Sequence, residues 1–534
     1  MFAFLKQIMA ERRAFVEFEP VSPESANSMN ISKKFLHILE LSFEAKSLIY
    51  DTKLSKPGMQ SKKKKKLGTI EERVDVLYHN VIDVLTDTNF DDIIALATAY
   101  HNIGLGNAAL TNRDNLEGAV RSFSRTLLLL EGKMLNRKAI LISISALNEL
   151  NLACGKLEQQ DTPKLLDIAL DLYVKYVTRS NSNWYPDPIN LASVIGIKEE
   201  ESNPRIMLHN LHYTTLQDHA LDYLANPKNK HAFVKYLHTT LNIRLTDMIS
   251  NGTQFDEKYV NWALMLFELS RYFLANGRFS EAKNHIALAD YVIYKFFEDR
   301  LSKIEERERE RFNDLHESYD YVCAMSNKFW GSYGVSLLRY WMKKFSHNKE
   351  NKSDEIEDVL SLLNIESEKP DLIFSDLEQV LECITIQITE TCILNHTDAK
   401  SVFIKTLRCL DSAKEYFVAD TDIETHTKII LKISETYKYL AGFEEQYDKK
   451  IKLHKRRVEC LEDVRRKFNE TVDTKTELQI YKQVWYEIVA SCSTIVNLML
   501  EEAYYDETFK EVSTKSDRYM KLIAENINLY FSVV

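Results

Sequence analysis

The stretch NWALMLFELSRYFLANGRFSEAKNHIALADYVIY, Asn261 to Tyr294, sets the fold class. Together with Tyr259 just before it, Trp262, Leu266, Leu269 and Phe273 recur at alternating steps of three and four, which gathers bulky side chains on one face of an α-helix. The centre, NGRFSEA, breaks that helix at Gly277 and starts another. On the second helix Ala282 is followed by Ile286 and Ala289. Small residues there let two antiparallel helices approach closely, and bulky ones fill the groove between them.

Further units repeat this logic. A helix over Ile93 to Leu110, carrying Gly104 and Gly106, is followed by the polar turn TNRDN and then by Ala119, Val120, Phe123 and Leu127. The turn ANPKNKH precedes Ala232, Tyr236 and Thr239, and the turn LAGFEE leads from Phe443 to Tyr447 and Ile451. The order of residues is similar to that of tetratricopeptide repeats, with helices longer than the roughly 34-residue period allows. The expected class is all-α: a solenoid of antiparallel helix pairs with a concave surface open to a partner.

Composition agrees. The chain has 534 residues, 45% of them apolar, with 13 glycines and 9 prolines, far fewer than the roughly 12% of average usage that turn-rich β architectures need. No run approaches the 18 or so apolar residues of a membrane span, and MFAFLKQIMAERR reads as no signal peptide. The seven cysteines (154, 323, 383, 392, 409, 460 and 492) contain no CxxC pair, which fits reduced thiols in a cytoplasmic protein better than disulfides or a zinc site. A net charge of −10 disfavours nucleic acid as the main partner, since phosphate binding is driven by cations.

Polar breaks divide the chain into a helical segment with a lysine-rich linker (1–70), a repeat subdomain (71–298), a long connecting helix region (299–345), an acidic loop (346–370) and a second repeat subdomain (371–534). The loop holds seven acids against three lysines before Pro370. In RLSKIEERERER, Arg300 to Arg311, alternating signs allow Glu305 to reach Arg309 and Glu308 to reach Arg311, as on a solvated helix. The lysine run 62–66 reads as a mobile charged linker, with an address signal or anionic contact as the alternative.

There is no HExxH, P-loop, GxSxG or kinase signature. Gly104-Leu105-Gly106 lacks a third glycine and a preceding strand, so it reads as packing. No catalytic residue, cofactor site or metal site is expected. KLHKRRVECL, Lys452 to Leu461, resembles an anion site only when written in a line. At about 100° per residue, His454 joins Ile451, Val458 and Leu461 in an apolar stripe, Lys455 and Arg457 flank it, and Arg456 points away. The expectation is a buried, hydrogen-bonded histidine with two cations snorkelling beside it, or a partner-facing role for Arg457 or Lys455.

The run DIETHTKIILKISETYKYLAGFEEQYDKKIKLHKRRVECLEDV, Asp422 to Val464, resembles the KIF-binding protein (kinesin-binding protein) family, whose HKRR helix matches His454, Lys455, Arg456 and Arg457. LHNLHYTTL, with His209, Asn210, Leu211 and Tyr213, is similar to its HNLYYLA helix. Trp262, Ala263, Leu269, Ser270, Ala282 and Ala289 follow its EWA…LS…EAR…A repeat. The resemblance spans roughly residues 90 to 530, leaves the first 70 unmatched, and implies further helices beyond Val534.

The resemblance implies a right-handed solenoid in two subdomains joined by a long helix. It also implies a non-enzymatic, monomeric, cytoplasmic and cytoskeleton-associated regulator that binds kinesin motor domains, blocks their microtubule binding and so affects organelle and mitochondrial transport, axonal microtubules and axon outgrowth. Tyr213 matches the family helix that lines the concave face. Gln217, Arg244, Glu268 and Arg271 lie on that helix or its neighbours in the repeat register, and the acidic loop is a candidate clamp. The alternative is a tetratricopeptide scaffold or cochaperone that captures peptide tails. It would need Lys, Arg and Asn side chains converging in one groove, and the sequence shows no clear set.

Overall fold

The computed structural model describes residues 29–532 apart from 48–56, 158–162, 179–184, 198–202, 225–230, 251–257, 304–308, 351–371, most of 378–394, 468–474, 507–508 and a few single positions. The described residues contain seventeen α-helices and no strand, so the all-α, helical-repeat expectation holds. The described chain divides into two compact units, Met1–Leu237 and His238–Val534.

In the first unit, α1 (Lys33–Ser47) and α2 (Pro57–Ile82) pack on α3 (Phe90–Ala108), which pairs with α4 (Arg113–Leu129). Then come α5 (Ile140–Lys156), α6 (Pro163–Val177), the single turn α7 (Leu191–Val194) and α8 (Pro204–Leu224). The TNRDN turn works as the sequence suggests: the Asn112 side chain caps α4 by accepting from the Asn115 N–H, 2.9 Å away. Gly104 is a packing glycine. A Cβ there would meet the buried Phe123 ring at 2.6 Å.

The lysine run is not a linker. Lys62 to Lys66 lie within α2, where Leu67, Ile70, Val74, Tyr78 and Val81 bury one face against α3. Lys66 reaches Glu44 at 3.1 Å and Lys64 reaches Asp114 at 3.6 Å, so the cations coat the exposed side of a packed helix.

The helix α9 (His231–Ser250) crosses from one unit to the other. The second unit continues with α10 (Lys258–Ala275) and α11 (Phe279–Asp299), the pair read from Asn261 to Tyr294. Trp262, Leu266, Leu269, Phe273, Ala282, Ile286 and Ala289 are all buried. Gly277 takes a φ of 71°, open to glycine without steric cost, and the Arg278 N–H closes the turn on the Phe273 carbonyl at 2.9 Å. The turn ANPKNKH lies outside the described residues, although Tyr236 beyond it is buried.

The charged stretch after α11 departs from expectation. The helix ends at Asp299, and Leu301–Lys303 forms a 3-10 turn with Leu301 buried against it. The long helix α12 begins at Arg309 and runs to Glu350. Glu305 and Glu308, and the acidic loop from residue 351 onward, lie outside the described residues. α11 holds α12 through Asp290, which accepts from Ser326 and, at 2.6 Å, from the buried Trp330 indole. Burial outweighs those bonds and raises the Asp290 carboxyl to about 6.

Four helices follow: α13 (His396–Tyr416), α14 (Ile423–Phe443), α15 (Tyr447–Lys467) and α16 (Lys475–Asp506), closed by α17 (Phe509–Ser532). They pair as α12 with α13, α14 with α15 and α16 with α17, and the first helices α10, α12, α14 and α16 also pack side by side. This two-layer arrangement puts one member of every pair on a shared face.

A charged face on the first helices

The shared face of the second unit carries its ionisable side chains in a row. On α10, Glu268 is buried and forms an ion pair with Arg271 one turn on, whose side chain is 49% exposed. Burial raises the Glu268 carboxyl, with Arg271 and Lys328 opposing. On α12, the half-buried Lys328 sits 5.6 Å from the centroid of the Phe417 ring. The exposed Arg339 reaches Glu435 of α14 at 3.6 Å and lies over the Tyr439 ring at 5.7 Å.

Lys432 of α14 completes the row. Burial lowers its ammonium, and Arg339 and Arg271 add repulsion against the pull of Glu435. Burial also lowers Lys328, where Lys428 and Lys432 act against Glu268 and Asp422. Five cations therefore crowd a face whose acids are Glu268, Glu435 and Asp422. The chain as a whole is acidic, but this face is not. The converging cations that the sequence did not reveal come from α10, α12 and α14, brought together only by packing.

Of the five candidate contact residues, the structure joins two, Glu268 with Arg271. Glu268 is sealed behind its partner, so Arg271 is the accessible member. Tyr213 and Gln217 are half-buried on α8, four residues apart and so on the same helical side. Their neighbours anchor that helix. His209 is buried between the hydroxyls of Tyr173, at 3.0 Å, and Tyr185, at 3.3 Å, and His212 stacks on Tyr173 with centroids 3.6 Å apart. Arg244 is half-buried on α9.

The HKRR helix is α15. His454 is buried as the stripe geometry requires. Arg457, however, does not snorkel: it is 2% exposed. Its guanidinium donates to His454 Nδ1 at 3.0 Å, to the Ser434 hydroxyl at 3.3 Å and to Glu487 of α16 at 2.9 Å. A guanidinium can only donate, so Nδ1 must accept and His454 is neutral with its proton on Nε2. Burial, reinforced by Arg457, holds His454 down to about 3. Lys455 is half-buried and Arg456 exposed, paired with Glu459 at 3.1 Å. The cations thus take three different bearings.

Among the described residues no group of three or more side chains could hold a metal ion, and no helix is long and apolar enough to cross a membrane.

Fold and face together define a helical-repeat protein with a charged, aromatic-flanked first-helix surface. The family described as "KIF-1 binding protein C terminal" matches residues 260–533, which contain α10 to α17 almost entirely, and the chain belongs to that family. Similar proteins named KIF-binding protein occur in Drosophila melanogaster (25% identical over 391 residues, 69% of this chain and 61% of the relative), in Xenopus tropicalis (22% over 456 residues, 82% and 70%) and in Danio rerio (26% over 383 residues, 69% and 58%). The chain spans less than two thirds of the length of the Drosophila and Danio relatives.

Proposed function

We propose that this chain is a non-enzymatic regulator that binds kinesin motor domains and withholds them from microtubules. The observation that carries the reading is the family match over residues 260–533, which coincides with the helix pairs that build the charged face. The relatives are named for binding kinesins, not for a reaction. On this reading Arg271 is the principal contact of the second unit, with Glu268 holding it in place. Tyr213, Gln217 and Arg244 are contacts on α8 and α9. A motor occupied here would be lost to organelle and mitochondrial transport, axonal microtubule organisation and axon outgrowth, in the cytoplasm and along the cytoskeleton. The chain acts as a monomer.

The test is co-sedimentation of a panel of kinesin motor domains with microtubules, with and without the chain. The expected result is that at least one motor shifts to the supernatant as the chain is added. A panel in which no motor shifts would overturn the reading.

One observation favours a second reading. Arg271, Lys328, Lys432 and Arg339 gather on one face, the kind of cationic set that captures peptide carboxylates. A pulldown in which acidic peptide tails bind and motor domains do not would select the scaffold or cochaperone role instead.

A further inference from the structure

At one edge of the first-helix face an open cavity of about 530 Å³ lies between the start of α10, the first turns of α12 and the end of α13. Its walls are Val260, Asn261 and Leu264 on one side, and Glu317, Tyr321 and Tyr416 on the other. Tyr321 and Tyr416 are 37% and 36% exposed, which is unusual for two aromatic side chains in contact. Their ring centroids are 6.2 Å apart and inclined at 58°. Phe417 backs both, 6.1 Å from Tyr321 and 5.0 Å from Tyr416, each edge to face.

Two properties of this cluster point to one kind of occupant. The first is the field. Burial raises the Tyr416 hydroxyl and Glu317 and Asp320 push it further, while Asp422 and Glu268 act likewise on Tyr321, so carboxylates surround the rings. The second is precedent within the molecule: the same aromatic group already holds a cation, since the Lys328 ammonium lies 5.6 Å from the Phe417 centroid. Ring faces carry negative charge and attract cations, most strongly where water is partly excluded. An aromatic wall with a carboxylate at its rim fits a guanidinium or ammonium far better than an apolar or acidic group.

We propose that the Tyr321–Tyr416 pocket seats an arginine or lysine side chain from a basic segment of the partner protein. The proposal rests on the reading of this face as a docking surface and names the chemistry of one anchor. It also resolves the charge pattern. The cations farther along α12 and α14 would repel a basic segment, so such a segment is confined to this edge, and the face recognises a partner carrying both signs in order.

The experiment measures binding of a fluorescent peptide of alternating arginine and glycine to the full chain by anisotropy, with a glutamate–glycine peptide as control. The expected result is saturable binding of the basic peptide, weakened about tenfold or more in the Tyr321→Ala, Tyr416→Ala double variant. That variant leaves net charge unchanged, so general attraction to an acidic chain cannot explain a loss. The Tyr321→Phe, Tyr416→Phe variant keeps the ring faces and is expected to bind within about twofold of the parent. Glu317→Lys, at an exposed position, is expected to weaken binding without disturbing the core. Equal binding of the basic peptide by parent and alanine variant, or no preference over the acidic control, would overturn the proposal. Repeating the titration with a motor domain separates this proposal from the broader one. A motor that binds the parent and the alanine variant equally overturns the pocket alone, whereas cage-dependent peptide binding with no motor binding supports the pocket and overturns the motor reading.

Discussion

Two arginine–glutamate pairs in the second unit show opposite uses of the same chemistry. Arg457 and Glu487 join α15 to α16 with side chains 2% and 17% exposed, and every direction of the guanidinium is occupied. Arg271 and Glu268 lie on one helix, the acid 8% exposed and the arginine 49%. A charge sealed in a core must be fully hydrogen-bonded, because an uncompensated buried ion is far costlier than the pair is stabilising. A half-open pair is bound by no such requirement, and its arginine keeps donors that a partner can use. The residues most diagnostic of the family are therefore architecture, and the interaction chemistry lies on the first-helix face.

The largest effect should come from breaking the sealed pair. Arg457→Ala leaves Glu487 and His454 without their partner and is expected to cost about 3–5 kcal/mol, read as a lower midpoint in urea unfolding. Arg271→Ala, at the half-open pair, is expected to cost at most about 1 kcal/mol in the same assay. Similar losses from the two variants would erase the distinction drawn between them.

Acid sharpens the contrast with opposite signs. His454, at about 3, and His238, at about 4, sit well below an unfolded histidine. His238 belongs to a second forced-neutral site. His285 donates through Nδ1 to the Glu281 carbonyl at 2.7 Å, so its Nε2 accepts from His238 Nδ1 at 3.1 Å. Between the unfolded value near 6.5 and these depressed values the unfolded chain binds more protons. Stability is thus complete above about 6.5 and falls as pH drops toward 4. Glu268 is raised, so its folded form holds a proton more readily than its unfolded form, and its contribution is lost as pH rises through its titration. Unfolding midpoints measured from pH 7 to 4 should drop steeply, and less steeply in His454→Gln, which keeps an acceptor for Arg457 but binds no proton. Glu268→Gln should leave the acid slope unchanged or steepen it. A His454→Gln slope equal to that of the parent would contradict the neutral assignment.

The smallest effect on stability, and the most telling for function, is charge reversal at the open pair. Arg271→Glu should change the unfolding midpoint little while weakening partner binding about tenfold. A variant that binds as the parent does would remove Arg271 from the contact surface.

Much of this was legible in the sequence, and the failures have physical causes. The spacing of Trp262, Leu266, Leu269 and Phe273 around Gly277 predicted a helix pair, and all four side chains are buried because period alone selects the face. His454 was legible for the same reason. Arg457 was not, because its burial depends on Glu487 thirty residues away on a helix with no local signal in the HKRR stretch. The lysine run drew attention from the stripe beside it, Leu67, Ile70, Val74, Tyr78 and Val81, which was the readable sign of a packed helix. The cation row and the Tyr321–Tyr416 pocket each draw on different helix pairs, so no single window of sequence contains either.

The central claim is tested most directly by microtubule co-sedimentation of a motor domain against increasing concentrations of the intact chain, run beside Arg271→Glu and Arg456→Glu. Both arginines are open to a partner, but only Arg271 stands on the first-helix face; Arg456 is on α15. The account predicts that the parent and Arg456→Glu release the motor from microtubules at the same concentration, and that Arg271→Glu requires about ten times more. Equal potency of all three, or a loss confined to Arg456→Glu, would contradict it.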